Sequence, residues 1–275
     1  MDENTEKEFH TTVGVFDVLS RSIRKKVKEE AKKEGHFGIG VLTDDYCEIT
    51  LSTRPLKSTD ERMEIAQNLD GVDFVFPVDR LSSMERAAQE AFEEFKQRED
   101  DIEKIKKYDV GFIIGSFDMF HNGHLENINI AKACCKRLFV VLKTDERISK
   151  NKNKKPQQST AERAAILKSL KQIEDVLYMD LETTRGDVLN DVMEASGISE
   201  KRKIAAIFGS DLREKEEKHA DEWDGIDIIF TKRDPEKMKT VSSTNYEVMC
   251  VANGGLKRLE DIEKTALEES SNDQR

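Results

Sequence analysis

Ile113-Ile114-Gly115-Ser116-Phe117-Asp118-Met119-Phe120-His121-Asn122-Gly123-His124 reads as an apolar strand running into a turn that carries two histidines three residues apart. A strand that ends in a glycine-bearing loop and opens a helix presents backbone N–H groups and the positive end of a helix dipole. That is a ready anion site. With His124 in the first helical turn and His121 just before it, both imidazoles reach a phosphate held there, and Gly123 lets the backbone come close. Helical metal ligands are spaced H-x-x-x-H, and no nearby cysteine or third histidine supports a zinc site. The chemistry therefore points to phosphate.

This stretch has an echo upstream. Sliding the chain by 101 residues places Gly14-Val15-Phe16-Asp17 on Gly115-Ser116-Phe117-Asp118 and Thr43-Asp44 on Thr144-Asp145. Without a gap, the same shift lays Ser58-Thr59-Asp60-Glu61-Arg62 on Ser159-Thr160-Ala161-Glu162-Arg163, Pro55 on Pro156, Val75 on Val176 and Asp79 on Asp180. The clustering reads as two copies of one supersecondary unit. Each copy alternates short apolar runs with amphipathic stretches, the pattern of β-α-β units around a parallel sheet. In the second copy the pattern predicts strands at 110–115, 137–143, 175–179, 203–208 and 226–231, with helices at 123–135, 160–171, 185–196 and 243–252. The first copy offers strands only at 11–16, 37–42 and 73–78, ahead of a long acidic helical stretch from about 81 to 107. It reads as truncated. The expected fold class is α/β, with tandem Rossmann-like, doubly wound parallel sheets. The expected domains are residues 1–80, a helical connector at 81–108, a second domain at 109–255, and a C-terminal helix and tail at 256–275.

Composition narrows the partners. The 275 residues are 37% charged and carry a formal net charge of -11, which opposes nonspecific capture of nucleic acid by the average field. No nucleic-acid partner is expected. Apolar runs such as Leu138-Phe139-Val140-Val141-Leu142 fall far short of the roughly 18 residues that a membrane helix needs, so no membrane span is expected. The N-terminus, Met1-Asp2-Glu3-Asn4, opens with acids and lacks a basic segment followed by an apolar one. The expected location is cytoplasmic. Cys47, Cys134, Cys135 and Cys250 show no C-x-x-C spacing and read as free thiols.

The stretch from Gly115 to His124 resembles the G-x-F-D-x-x-H-x-G-H motif of the cytidylyltransferases, within the wider H-x-G-H nucleotidyltransferase superfamily. The similarity is closest to the glycerol-3-phosphate and phosphoethanolamine cytidylyltransferases. It extends through Thr144-Asp145-Glu146, Glu162-Arg163 and Gly209-Ser210-Asp211 and covers about residues 109–250. The resemblance implies a HUP-type sheet and a reaction in which an acceptor phosphate attacks the α-phosphorus of a nucleoside triphosphate in line, releasing pyrophosphate. Catalysis of that kind is mainly positioning and charge stabilisation.

Carried over residue by residue, the resemblance makes His121, His124, Lys152 and Arg163 the candidate catalytic residues. Gly115, Ser116, Phe117, Asp118, Lys154, Gly209 and Asp211 are candidate nucleotide ligands. Ser242, Ser243 and Thr244 join them as a partial match to the family's R-T-x-G-I-S-T-T element, from which the glycine is missing. Lys171 and Arg233 are candidates for acceptor binding, Lys171 standing where the family has an arginine. Ser210 departs from the family's G-D-D, and the Ser-Ser-Thr wording also occurs in adenylyltransferases of the superfamily. In the first copy His121 becomes Ser20, His124 becomes Ile23, and Lys152 and Lys154 become Leu51 and Thr53. That copy is expected to be catalytically dead, its retained Asp17, Asp44 and Arg62 serving the fold.

The function this implies is CMP transfer from CTP to a small phosphorylated alcohol, glycerol 3-phosphate standing first. Mg2+ is expected to enter with the triphosphate, and no protein metal cage is expected. An adenylyltransferase on the same scaffold and a non-catalytic nucleotide sensor remain as alternatives. The repeat suggests a pseudo-dimer within the chain or a homodimer.

Overall fold

The computed structural model describes residues 8–97, 107–152, 154–223, 225–231, 260–264 and 266. The chain divides into two compact units, one comprising residues 1–101 with 248–275 and the other residues 102–247.

In the first unit the elements are β1 (Phe9–Gly14), α1 (Arg21–Glu30), β2 (His36–Leu42), α2 (Asp44–Leu51), α3 (Thr59–Gln67), β3 (Phe74–Val78) and α4 (Met84–Gln97). The strands form one parallel sheet in the order β1-β2-β3. All six residues of β2 after His36 are apolar or glycine in a fully buried run, as a central parallel strand requires. Helix α4 presents Ala88 and Phe92 to the sheet, where Phe92 lies 5.5 Å from Phe74 and 4.7 Å from Phe9 between ring centroids. The stretch expected as a connector is thus part of the first unit's own core. Its amphipathic face has to be covered, and β3 covers it.

The second unit contains β4 (Tyr108–Gly115), α5 (Asn122–Cys134), β5 (Cys135–Lys143), α6 (Asp145–Lys152), α7 (Thr160–Leu167), β6 (Ile173–Met179), α8 (Arg185–Ser196), β7 (Ile204–Gly209), α9 (Arg213–Glu217) and β8 (Asp227–Thr231). All five strands are parallel, in the order β6-β5-β4-β7-β8. This is the Rossmann-like winding that the alternating pattern predicts, and the apolar runs place every strand within two residues of its expected start. Val110 and Phe112 share one core with Phe139, Val141, Val188, Val192 and Ala206. The helix expected at 243–252 lies outside the described residues.

Helix starts follow local chemistry. Ser58 and Ser159 each begin a capping box with the glutamate three residues on, Glu61 and Glu162. Thr184 does the same with Asp187. Every helix and strand from β1 to α4 has a counterpart about 101 residues later, α4 matching α8. The first unit therefore runs to Gln97, beyond the boundary expected at residue 80.

Among the described residues no helix is long and apolar enough to cross a membrane.

Candidate active site

The winding of the second sheet reverses between β4 and β7, its neighbours lying on opposite sides of the chain's first strand in that unit. Open α/β sheets bind ligands outside the carboxyl ends of strands at such a switch point. The pairing of β4 with β7 runs to Ile113 and Ile207, so both strands end together at Gly115 and Gly209. The histidine loop springs from the first and the Ser210–Leu212 turn from the second.

His121 is the N-cap of α5, in extended backbone, and its side chain makes no capping hydrogen bond. Its carbonyl accepts from the amides of His124 (2.9 Å) and Leu125 (3.2 Å), which fixes the first turn. The two imidazoles stack with centroids 3.7 Å apart and planes 18° from parallel. Phe117 and Phe120, both buried, flank His124 at 5.2 and 5.7 Å. The pair is thus held in a fixed geometry at the positive end of a helix, where charge on a phosphate is favoured.

The loop that carries it is strained. Phe117 and Met119 have φ of 50° and 48°, in the left-handed region that side chains avoid. Phe16 and Leu19 in the first unit's loop do likewise, although that loop has no histidines. The strain therefore belongs to the loop's architecture. Gly115 serves it by absence: a Cβ there would sit 2.5 Å from Cε2 of Phe117. Gly115→Ala is expected to push Phe117 off His124 and to lower turnover by up to about 100-fold with the fold intact, because small misplacements near reacting groups are that costly. Parallel melting curves and initial rates check it.

Asp118 is used differently from expectation. Its two carboxylate oxygens accept from the amides of Gln157 (2.9 Å) and Gln158 (3.0 Å), and Gln158 Oε1 in turn accepts from the amide of Met119 (3.1 Å). These bonds stitch the histidine loop to the segment after the lysine run. Asp118 positions the site.

Arg163 spends its donors inward. It is 0% exposed, and its guanidinium donates to the carbonyls of Gln158 (3.0 Å), Ser116 (2.6 Å) and Lys143 (2.9 Å), to Asp145 Oδ1 (2.6 Å) and to Thr160 Oγ1 (3.2 Å). A guanidinium has five N–H donors, and here five bonds use them, leaving no fork for phosphate. Burial pushes the Asp145 carboxyl up, but Arg163 and Thr160 outweigh it and hold the group below the usual carboxylate range. Arg62 makes the same set of contacts in the first unit, to Lys57, Val15, Leu42, Asp44 and Thr59. An arginine retained where the histidines are gone serves the fold.

Lys171 stands away from the histidines along the sheet. It lies in the turn between α7 and the amino end of β6, whereas the histidines stand at the carboxyl ends of the parallel strands. The short α7 brings the chain to the base of the sheet before Lys171 is reached. The remaining candidates divide by place. Ser116 and Phe117 lie in the loop, Gly209 closes β7, and Asp211 is exposed in the turn beyond it. Lys154 is exposed just after α6, within the run Lys150 to Lys155. Lys152 ends α6, and its side chain, with Arg233, Ser242, Ser243 and Thr244, lies outside the described residues. Gln158 and Thr160 were not singled out in the sequence. The capping box at Ser159 was the signal that a fixed turn stands there.

Comparison with known proteins gives three findings. Residues 112–247 match the family model described as cytidylyltransferase-like. Curated relatives include "Bifunctional protein HldE" of Caulobacter vibrioides, 43% identical over 75 residues, which is 27% of this chain and 16% of that protein. The protein of the same name from Acidiphilium cryptum is 34% identical over 123 residues, 43% of this chain and 24% of the relative. The match thus spans a quarter or less of those relatives. A solved structure, the lipopolysaccharide core biosynthesis protein from Thermoplasma volcanium GSS1, is 22% identical with a TM-score of 0.35, covering 46% of this chain and 95% of its own.

Proposed function

As residues 112–247 belong to the cytidylyltransferase-like family, we propose that the chain transfers CMP from CTP to a small phosphorylated alcohol, releasing a CDP-alcohol and pyrophosphate. Glycerol 3-phosphate is the first acceptor to test. The observation that carries the reading is the stacked His121 and His124 pair at the mouth of α5.

An acceptor phosphate oxygen forms a new bond to the α-phosphorus while the bond from that phosphorus to the bridging oxygen breaks. Pyrophosphate leaves with the bridging oxygen. No covalent enzyme intermediate is needed, so the protein's task is to hold two anions in line and to offset the charge that builds on the phosphate oxygens. His121 and His124 supply hydrogen-bond donors at that place, aided by the amino end of α5. The lysine run ending in Lys154 and Lys155 brings cations to an otherwise acidic chain. Ser242, Ser243, Thr244 and Arg233 are proposed as further phosphate ligands. Gly209 and Asp211, beside the switch point, are proposed to face the base.

Mg2+ is proposed to arrive on the triphosphate and to neutralise its oxygens. Among the described residues no group of three or more His, Cys, Asp or Glu could hold a metal, and Asp118 has both oxygens on amides. Phosphate and water oxygens suit this ion.

Adenylyl transfer is the second reading, favoured by the Ser242-Ser243-Thr244 wording and by Ser210 in place of an aspartate. Incubation with Mg2+, a panel of phosphorylated alcohols and either CTP or ATP, read as pyrophosphate and as product mass, decides. A CDP-alcohol from CTP alone is the expected result. Product from ATP alone replaces cytidylyl by adenylyl transfer, and binding without product leaves a sensor.

A further inference from the structure

The first unit holds a buried acid that the chemistry above does not use. Glu263, in the helical stretch 260–264, is 1% exposed, and its carboxylate accepts from the backbone amides of Val18 (2.7 Å) and Ser20 (3.2 Å). Ser20 is the N-cap of α1, so the carboxylate sits at the mouth of that helix. At the 101-residue shift Val18 and Ser20 correspond to Met119 and His121, which places Glu263 in the counterpart of the histidine loop.

The surroundings match the guest. A small cavity there is lined by Asp17, Leu51, Thr53 and Pro55, together with Ile262 and Glu263 themselves. Leu51 and Thr53 stand where the second unit has Lys152 and Lys154. Exchanging two cations for an apolar and a neutral side chain removes attraction for a polyphosphate and accommodates Ile262. Lys57 stands where the second unit has Gln158, whose side-chain oxygen satisfies Met119. A lysine has no acceptor to give, and its ammonium turns instead to the Asp17 carbonyl. The Val18 amide therefore needs an oxygen from elsewhere, and Glu263 provides one. Burial, aided by the negative Asp17, pushes the Glu263 carboxyl up to about 7 against the pull of the two amides. An acid accepts that penalty only where its partners are built for it.

We propose that the first unit's counterpart of the nucleotide site has become a dock for the chain's own C-terminal helix, with Glu263 in the anion position and Ile262 in the place of the lysine-bound phosphates. The comparison with a nucleotide site rests on the function proposed above; the dock itself does not. Its consequence is that this half of the chain is closed to nucleotide.

Cys47 reports on the dock, since it lines the same cavity and is buried. Alkylation of Cys47, mapped by peptide mass, and hydrogen exchange over residues 15–20 are measured in the full chain carrying Glu263→Ala or Glu263→Gln. Glu263→Ala is expected to raise both rates at least about tenfold, as loss of roughly 1.4 kcal/mol of closure would. Glu263→Gln keeps one acceptor oxygen and the shape, so a smaller rise is expected. Unchanged rates in Glu263→Ala overturn the dock. Should that variant not fold, unchanged rates in Glu263→Gln overturn it equally. None of these readouts requires turnover, so failure of the catalytic reading leaves this test standing.

Discussion

Replacement of His124 by alanine is expected to cut pyrophosphate release by about 100-fold to 1,000-fold, the usual cost of losing one donor aimed at developing negative charge. His121→Ala is expected to fall in the same range. The two rings stack at 3.7 Å and share one loop, and on the proposed function they are expected to act on one phosphate as a unit. The double variant should then lose little more than the worse single one, the non-additivity typical of groups that cooperate in one step. Stability should move less than activity. His124 is half-buried against Phe117 and Phe120, and trimming it removes those ring contacts while leaving the sheet core untouched. A fall of only a few degrees in melting temperature corresponds to about 1 kcal/mol in a unit of this size. Rates at saturating nucleotide and acceptor, set beside melting curves, separate the two effects. Full turnover in the double variant would remove the histidines from the mechanism.

The fold was largely legible because its strands announce themselves. β7, Ile204 to Gly209, is buried throughout and flanked by charged turns, so an apolar run of six could hardly be anything else. Helix α8 begins at a threonine that caps it and ends at Gly197 in the left-handed conformation. The site was legible in part. The histidines follow from a strand, a turn and a helix start, all local signals. Whether a side chain spends its hydrogen bonds inward or on a ligand is not local, and the motif did not announce the inward bonds of Arg163 and Asp118. Lys171 shows the same limit: it stands two residues before β6, at the amino end of a parallel strand, and the order of elements, not the local motif, sets that place. The repeat held the remedy. Asp17, Asp44 and Arg62 persist in a copy without histidines, and what persists without the chemistry is there for the fold.

That argument makes Arg163→Ala the sharpest test of which residues shape the site and which act in it. The substitution strips the carbonyls of Ser116, Lys143 and Gln158 of a donor and leaves Asp145 without its cation. Each orphaned buried acceptor costs about 1–3 kcal/mol, while the loss of the Asp145 pair adds little, because that carboxylate is 42% exposed and screened by solvent. With three carbonyls stripped, a loss of at least about 3 kcal/mol is therefore expected, enough to unfold a marginal unit. Arg163→Lys keeps the charge but offers three donors on a point rather than a planar fork, and is expected to recover only part of the loss. Arg62→Ala should do the same to the first unit, since its five contacts are the same set. Calorimetry of the full chain reads both: each substitution should lower a different transition, and activity should vanish with the second unit's transition for Arg163→Ala. A variant at position 163 that melts like the parent yet turns over 100-fold more slowly would return the arginine to the reacting phosphates. In that case its five inward bonds would have to open when nucleotide enters, and the histidine loop, which hangs from the Ser116 carbonyl, would move with them.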